Sequence, residues 1–312
     1  MKARRSTTPA AKRRTAIALA LASPEIAPDL LDKRVPFLRD QTERGAIAVE
    51  LATGRYEVTL RRGAEKEIVE SNVDPMHRPW VIGYGVRRGD PIGEPERPRL
   101  TKSFGALHTL FGHVPAPHAA SRWLADLDAE VDRERRRFKK SPGGPLRGRA
   151  SIWHAVETAL HRLLGITRIE VDAGGNVHVE HPQFKRVRLD ALSDGYLVTA
   201  SWVIDMMARW IEHREALDKP VGDDILAQMT GLALIDEIDQ HLHPRWQLSI
   251  VHNIRELFPR MSFIVTTHNP LTLQGALPSE VYVVRWNGPD NARYIELAHK
   301  DIKFANDVDY LS

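Results

Sequence analysis

An α/β fold is what this sequence predicts: a parallel sheet packed with helices, a small antiparallel β subdomain and a helical insertion. Three observations carry that reading. Gly231-Leu232-Ala233-Leu234-Ile235 and Phe263-Ile264-Val265 are short, near-continuous apolar runs, the pattern of parallel strands buried on both faces. Trp246 to Phe258 between them reads as a helix, and strand–helix–strand order makes a parallel crossover. Well ahead of this unit, Ala46 to Leu51 and Tyr56 to Leu60 read as strands joined through Thr53-Gly54, and Lys66 to Glu70 adds a third.

The other elements follow in chain order. Thr15 to Ser23 lies behind Lys2, Arg4, Arg5, Lys12, Arg13 and Arg14, the arrangement of a short secretory signal. Ala and Leu are strong helix formers, however, and the segment runs on to Leu31 without a clear cleavage boundary. A buried core helix is therefore the expectation. Pro79 to Gly85 reads as a strand ending in a glycine turn, and residues 86–100, rich in Gly, Pro and Arg, as a loop. Ser121 to Lys140 is a highly charged helix. Its end carries Arg133, Arg135, Arg136, Arg137, Lys139 and Lys140, interrupted only by Glu134 and Phe138. Such a stretch reads as a solvated face, with nucleic-acid contact as the alternative. Ser141-Pro142-Gly143-Gly144-Pro145 breaks it, and Ile152 to Leu164 is a second helix. Ile169 to Val171 and Val177 to Val179 flank Gly174-Gly175-Asn176 as a hairpin, and Leu197 to Arg214 is a long apolar helix.

Composition bounds the function. At 312 residues and 42% hydrophobic, the chain can bury a full core. It has no cysteine, so it has no disulfide framework and no thiolate chemistry, which suits the cytoplasm. A net charge of +3 is compatible with DNA without demanding it. No apolar run approaches the roughly 18 residues of a membrane span.

The chemistry collects at strand ends, where open α/β sheets bind ligands. The first apolar run ends in Asp236-Glu237 and the second leads to His268. Two carboxylates and an imidazole there are what holding magnesium, orienting a water and sensing a γ-phosphate require, so a nucleotide hydrolase is expected. Taken singly, an ordinary acidic turn and a satisfied buried histidine are the plain alternatives. A third element precedes both: Leu192-Ser193-Asp194-Gly195-Tyr196 opens the long apolar helix, where backbone amides make an anion site. Other histidines (His108, His113 and His118; His178 and His181; His241 and His243) lack the spacing of a zinc site.

The order Ser-x-Gly, Asp-Glu, His resembles the ABC-type ATPases. The blocks Leu234 to Gln247 and Phe263 to Pro270 resemble, more narrowly, the AAA-type, ABC-like ATPases related to the OLD and SMC-like recombination ATPases, several of which act in anti-phage systems. The resemblance implies a P-loop NTPase sheet of the ABC-ATPase type, with ATP and Mg²⁺ as cofactors. Ser193, Asp194 and Gly195 would be the signature loop, reaching the γ-phosphate of an opposite subunit. Asp236 would be the Walker B magnesium ligand, Glu237 the catalytic carboxylate and His268 the switch histidine. Asp239 to Pro244, with Asp239 and His243 near nucleotide, would be the D-loop at a dimer seam. Tyr84-Gly85 to Arg87 resembles, more weakly, the family's strand-end segment. A homodimer or heterodimer through an ATP sandwich is implied, with DNA and a nuclease as candidate partners and no membrane association.

One departure stands against this. The phosphate cradle Gly-x-x-x-x-Gly-Lys-Ser/Thr occurs nowhere in these 312 residues; Gly143 to Ser151 lacks the lysine and follows a charged helix rather than a strand. Thr15 to Leu31 resembles the helix that follows that loop in the family, so a front end lost through a misplaced start, a frameshift, a split gene or natural decay is expected. The expected division is one domain over 1–312: an N-terminal lobe without the P-loop at 15–100, a helical insertion at 101–165, a lobe with signature, Walker B and switch histidine at 166–285, and a tail at 286–312. The function expected is an ATP-binding and ATP-hydrolysing subunit, incomplete at its N-terminus, acting in DNA-related or anti-phage processes; the alternative is a non-catalytic pseudo-ATPase serving as an interaction subunit.

Overall fold

The computed structural model describes residues 43–51, 54–63, 67–71, 79–86, 107, 120–137, 148–219, 221–285 and 294–297. The expected helix over 15–31 and most of the loop over 86–100 lie outside these residues. Strands β1 (Arg44–Leu51), β2 (Gly54–Arg62) and β3 (Glu67–Ser71) form an antiparallel meander. Tyr56, Val58 and Leu60 are buried, alternating with more exposed residues along β2, the period of two that a one-sided sheet imposes.

The sheet that positions the site is parallel. β4 (Val81–Tyr84) is followed by helices α1 (Ala120–Arg137) and α2 (Arg149–Leu164). Next comes an antiparallel sheet of β5 (Arg168–Val171), β6 (Val177–His181) and β7 (Lys185–Arg188). The hairpin expected at 169–179 is thus three-stranded; Lys185 to Arg188 went unrecognised because its one apolar residue, Val187, gives too little alternation to read. α3 (Asp194–Ala216) and the short α4 (Ile225–Gln228) lead into β8 (Gly231–Ile235). After β8 come α5 (Pro244–Gln247), α6 (Ile250–Leu257) and β9 (Met261–Val265), then α7 (Pro270–Leu273) and the antiparallel pair β10 (Tyr282–Arg285) and β11 (Tyr294–Leu297).

β8 is the middle strand of the order β4-β8-β9 and pairs parallel with both neighbours. Leu232 to Ile235 are all buried, which is why this strand reads as an unbroken apolar run. The helix expected from Trp246 to Phe258 is two helices. Leu248 and Ser249 turn tightly between α5 and α6, where the Ser249 N–H donates to the Trp246 carbonyl at 3.0 Å, the i to i+3 bond of a tightened turn.

One continuous core joins these elements. Leu124, Leu127 and Val131 of α1, Val156, Leu160 and Leu163 of α2, Trp202 and Trp210 of α3, Ile82 of β4 and Ile254 of α6 all belong to it. α3 buries residues around most of its circumference, as a helix enclosed by other elements does. Among the described residues no helix is long and apolar enough to cross a membrane. The architecture is the α/β one that the sequence predicts: a parallel sheet accompanied by antiparallel ones.

Candidate functional site

Asp236 and Glu237 leave the C-terminal end of the central strand, the position its fold class reserves for ligands. The Asp236 backbone N–H donates to the Tyr84 carbonyl of β4 at 2.8 Å, and the Thr266 N–H, one residue past β9, donates to the Ile235 carbonyl at 3.0 Å. All three strand ends are therefore held at one level. The Thr266 hydroxyl donates to Asp236 Oδ1 at 2.8 Å and accepts the Glu237 N–H at 3.0 Å, so a single hydroxyl fixes the direction of both acidic residues. Glu237 itself sits at φ 45°, a left-handed conformation that costs a non-glycine residue roughly 1–2 kcal/mol. The surrounding bonds, including Gln240 N–H to the Glu237 carbonyl at 2.9 Å and Ile238 N–H to the Thr266 carbonyl at 3.0 Å, hold it there. His241, four residues on, is also left-handed at φ 65°. Two such residues in one short turn mark a segment whose shape is imposed by its surroundings.

Glu237, Asp239, Gln240, His268, Asn269 and Pro270 line a cleft of about 290 Å³. His268 is the opposite of a buried histidine: its side chain is 78% exposed, with Nε2 4.0 Å from Glu237 Oε1. Asn269 braces one wall. Its Nδ2 donates to Gln247 Oε1 at 2.7 Å, and Gln247 Nε2 donates to the Leu242 carbonyl at 3.0 Å. Asp239 is 8% exposed, and its Oδ1, like Oε1 of Gln240, is buried without a hydrogen-bond partner. Unpaired buried acceptors are costly; among the described residues this cleft is short of donors and cations, not of acceptors.

Ser193, Asp194 and Gly195 form a second group. Ser193 caps α3 through its backbone, its carbonyl accepting the Leu197 N–H at 3.0 Å, while its hydroxyl makes no capping bond. Gly195 is buried against the turn after β8: a Cβ there would fall 2.2 Å from the His241 carbonyl oxygen. His243 Nδ1 accepts the Arg245 N–H at 3.3 Å at the start of α5, which leaves Nε2 carrying the proton when the ring is neutral. Behind this surface Tyr196 meets Trp246 edge-on at 4.3 Å and His181 at 5.5 Å, and His181 stacks on Phe184 at 4.4 Å. Burial pulls the His181 imidazole below, and pushes the Tyr196 hydroxyl above, their ordinary pKa values. The structure thus gathers Glu237, Asp239 and His268 in one cleft with Asp236 tied in through Thr266. It gathers Ser193, Asp194, Gly195 and the 241–243 turn beside one another, outside that cleft's lining.

Sequence reasoning missed two features. Thr266 is one; a threonine just past an apolar strand is its only trace. The other is a buried polar network linking α3 to β4. Tyr84 donates its hydroxyl to Asp205 Oδ2 at 2.7 Å, and Arg209 Nε lies 2.9 Å from the same oxygen. Asp205 is 2% exposed. Burial, followed by the Asp205 charge, holds the Tyr84 hydroxyl well above the usual tyrosine range. Burial is the largest single influence on Arg209 and would lower its pKa, but the charges of Asp205, Tyr84 and Glu212 and the Asp205 hydrogen bond together make the net shift upward. One turn further, burial raises Glu212 to about 7. Among the described residues no group of three or more His, Cys, Asp or Glu side chains could hold a metal; His108, His113 and His118 lie outside these residues.

Comparison with known proteins bears on the same segment. Residues 217–274, which run from the end of α3 through β8, the cleft and α7, match the family described as "AAA domain, putative AbiEii toxin, Type IV TA system". Septu protein PtuA of Bacillus mycoides (strain KBAB4) is 40% identical over 100 residues, 32% of this chain and 13% of that protein. A protein named "Retron Vc95 probable ATPase" from Vibrio cholerae serotype O1 biovar El Tor is 34% identical over 93 residues, 30% of this chain and 17% of its own length. The chain therefore matches well under a quarter of either relative. Among solved structures, an Smc head bound to the C-terminal winged-helix domain of ScpA aligns with 85% of this chain and 80% of its own, at 13% identity and a TM-score of 0.42. The segment that builds the cleft is the one that resembles this AAA domain family.

Proposed function

We propose that this chain, with an ABC-like AAA domain at residues 217–274, is an ATPase subunit of an anti-phage defence system, working in the cytoplasm and completing its nucleotide site against a second subunit. The observation that carries the reading is the Thr266 clamp, which orients Asp236 and Glu237 together at the end of the central strand. Carboxylate oxygens are hard ligands of the kind Mg²⁺ takes, and the unpaired Asp239 oxygen and Gln240 carbonyl add acceptors beside them. The residues at hand thus fit the metal side of a magnesium–nucleotide complex. The phosphate side is another matter: the cleft offers few donors, no Gly-x-x-x-x-Gly-Lys-Ser/Thr occurs in the sequence, and about 290 Å³ is at the small end of ligand pockets. Half a site is the consistent description.

In this reading Asp236 holds the metal, and magnesium, when bound, supplies charge neutralisation for the phosphates. Glu237 orients the attacking water and accepts hydrogen bonds from it. His268, exposed at the cleft mouth, donates to a γ-phosphate oxygen. Ser193, with the amides at the start of α3, faces the nucleotide of an opposite subunit, and Asp194, Asp239 and His243 lie along the same seam. The names of the Septu and retron relatives motivate the defence assignment; DNA or a nuclease as partner belongs to the same proposal. The missing phosphate loop favours a second reading, a non-catalytic interaction subunit. Equilibrium binding of Mg-ATP to the 312-residue chain alone tests the half-site: weak or no binding is expected, and tight binding would overturn it.

A further inference from the structure

The end of α1 is densely basic. Several arginines elsewhere are closely paired: Arg149 with Glu130 and Glu215, each at 2.8 Å, Arg168 with Glu170 at 2.8 Å, Arg209 with Asp205 at 2.9 Å and Arg255 with Glu280 at 3.0 Å. On α1, Arg133, Arg135, Arg136 and Arg137 are all exposed. Arg135 and Arg136 share one carboxylate, Asp132, each at 4.0 Å, with side chains 69% and 78% exposed. Arg133 directs Nε to its own helix, at the Ala129 carbonyl, and Arg137 has no hydrogen-bond or ion-pair partner among the described residues.

Two other acids of this stretch, Glu130 and Glu134, are engaged by Arg149. Glu130 pairs with Arg149, and Glu134 accepts the Arg149 backbone N–H at 2.9 Å at the start of α2. Four exposed guanidinium groups thus stand against Asp132, 4.0 Å from Arg135 and from Arg136, and Asp128, on which the Arg135 charge also acts, and the sequence continues the run with Lys139 and Lys140. Basic residues in a last turn also complement the helix dipole, but that interaction fades within the turn and is worth only about 0.3–1 kcal/mol each. It does not account for an exposed row of four arginines. Arg133, Arg136 and Arg137 stand at i, i+3 and i+4, where Cβ atoms lie about 5–6 Å apart on one face. An arginine fork on a fixed helix face suits a regular row of phosphates.

We infer that the C-terminal end of α1 is a contact surface for the phosphate backbone of double-stranded DNA, independent of base sequence. The contact stands apart from the nucleotide site and does not depend on the ATPase reading. Duplex DNA carries one charge per about 1.7 Å, so each arginine–phosphate contact adds roughly 0.9 to the slope of log affinity against log salt.

The test uses the full chain and a fluorescein-labelled 30-base-pair duplex, with anisotropy read from about 50 to 200 mM salt and no nucleotide present. Replacing Arg133, Arg136 and Arg137 by Ala should lower the slope by roughly 2–3 and weaken binding on the order of 100-fold near 0.15 M salt. The triple Lys variant should keep the slope, and Asp132→Asn should strengthen binding. An unchanged urea midpoint for these exposed substitutions separates loss of contact from loss of fold. The inference is overturned if the wild-type chain fails to bind duplex at low salt, if the triple Ala variant keeps its slope, or if polyglutamate competes with DNA only as weakly as a neutral polymer while the Lys variant loses binding. It is equally overturned, in favour of an acidic protein partner, if labelled polyglutamate binds more tightly than the duplex.

Discussion

Gly195→Ala sets two physical effects against each other with opposite signs. Gly195 is the second residue of α3, and glycine is a poor helix former; replacing it with alanine in an unobstructed helix gains roughly 0.5–1 kcal/mol. Here the new Cβ would lie 2.2 Å from the His241 carbonyl oxygen and 3.2 Å from its carbonyl carbon. Both partners are backbone, one in a helix and the other in a turn already holding two left-handed residues, so neither yields cheaply. Overpacking of this kind costs roughly 1–3 kcal/mol or more. The net expectation is destabilisation by about 1–2 kcal/mol, read from urea denaturation, with faster amide hydrogen exchange concentrated at residues 238–243. A variant as stable as wild type, or more stable, would refute the claim that the start of α3 is pressed against this turn.

Three further predictions follow from the same contacts. Asp205→Ala strands Arg209 and the Tyr84 hydroxyl in the interior and should cost about 3–5 kcal/mol, whereas Tyr84→Phe, which removes one hydrogen bond, should cost about 1 kcal/mol in the same unfolding assay. Thr266→Val keeps the shape but deletes the hydroxyl shared by Asp236 and the Glu237 N–H; a loss of about 1–3 kcal/mol in stability is expected, together with weaker Mg²⁺-dependent nucleotide binding by the assembled protein. Glu212 has its folded pKa raised to about 7, so its contribution is fully present below the unfolded value near 4.5 and is lost as pH rises through about 7. Glu212→Gln should therefore remove this pH dependence and be more stable than wild type at pH 8, by on the order of 1 kcal/mol once solvent screening is allowed for. Urea midpoints of both proteins measured from pH 5 to pH 8 check the sign.

What was legible in the sequence was what burial writes there. β8 reads as an apolar run because it has neighbours on both sides, and Asp236 and Glu237 mark its end because the change from apolar to acidic is abrupt. β7 was not legible, since strands whose faces are half solvated by arginine and lysine carry little hydrophobic pattern. The break between α5 and α6 was hidden because Leu248 and Ser249 continue a helical periodicity that only the turn geometry interrupts. The Tyr84–Asp205–Arg209 network joins residues 121 apart in the chain, and no local spacing encodes such a contact. Gly195 was picked out for its place at a helix start, yet the structure gives a further reason for glycine, the carbonyl of His241 against it. The roles given to Ser193, Asp236, Glu237 and His268 rest on the proposal and on their placement together.

The most direct test is phosphate release from Mg-ATP by the protein purified from its native cells with the subunits that accompany it, compared with its Glu237→Gln variant. General-base positioning is worth about 10²–10⁴ in rate. Magnesium-dependent hydrolysis that falls at least 100-fold in Glu237→Gln, with ATP still bound, is the predicted result. Hydrolysis at the wild-type rate in the variant, or bound ATP that the wild-type assembly never cleaves, would contradict it.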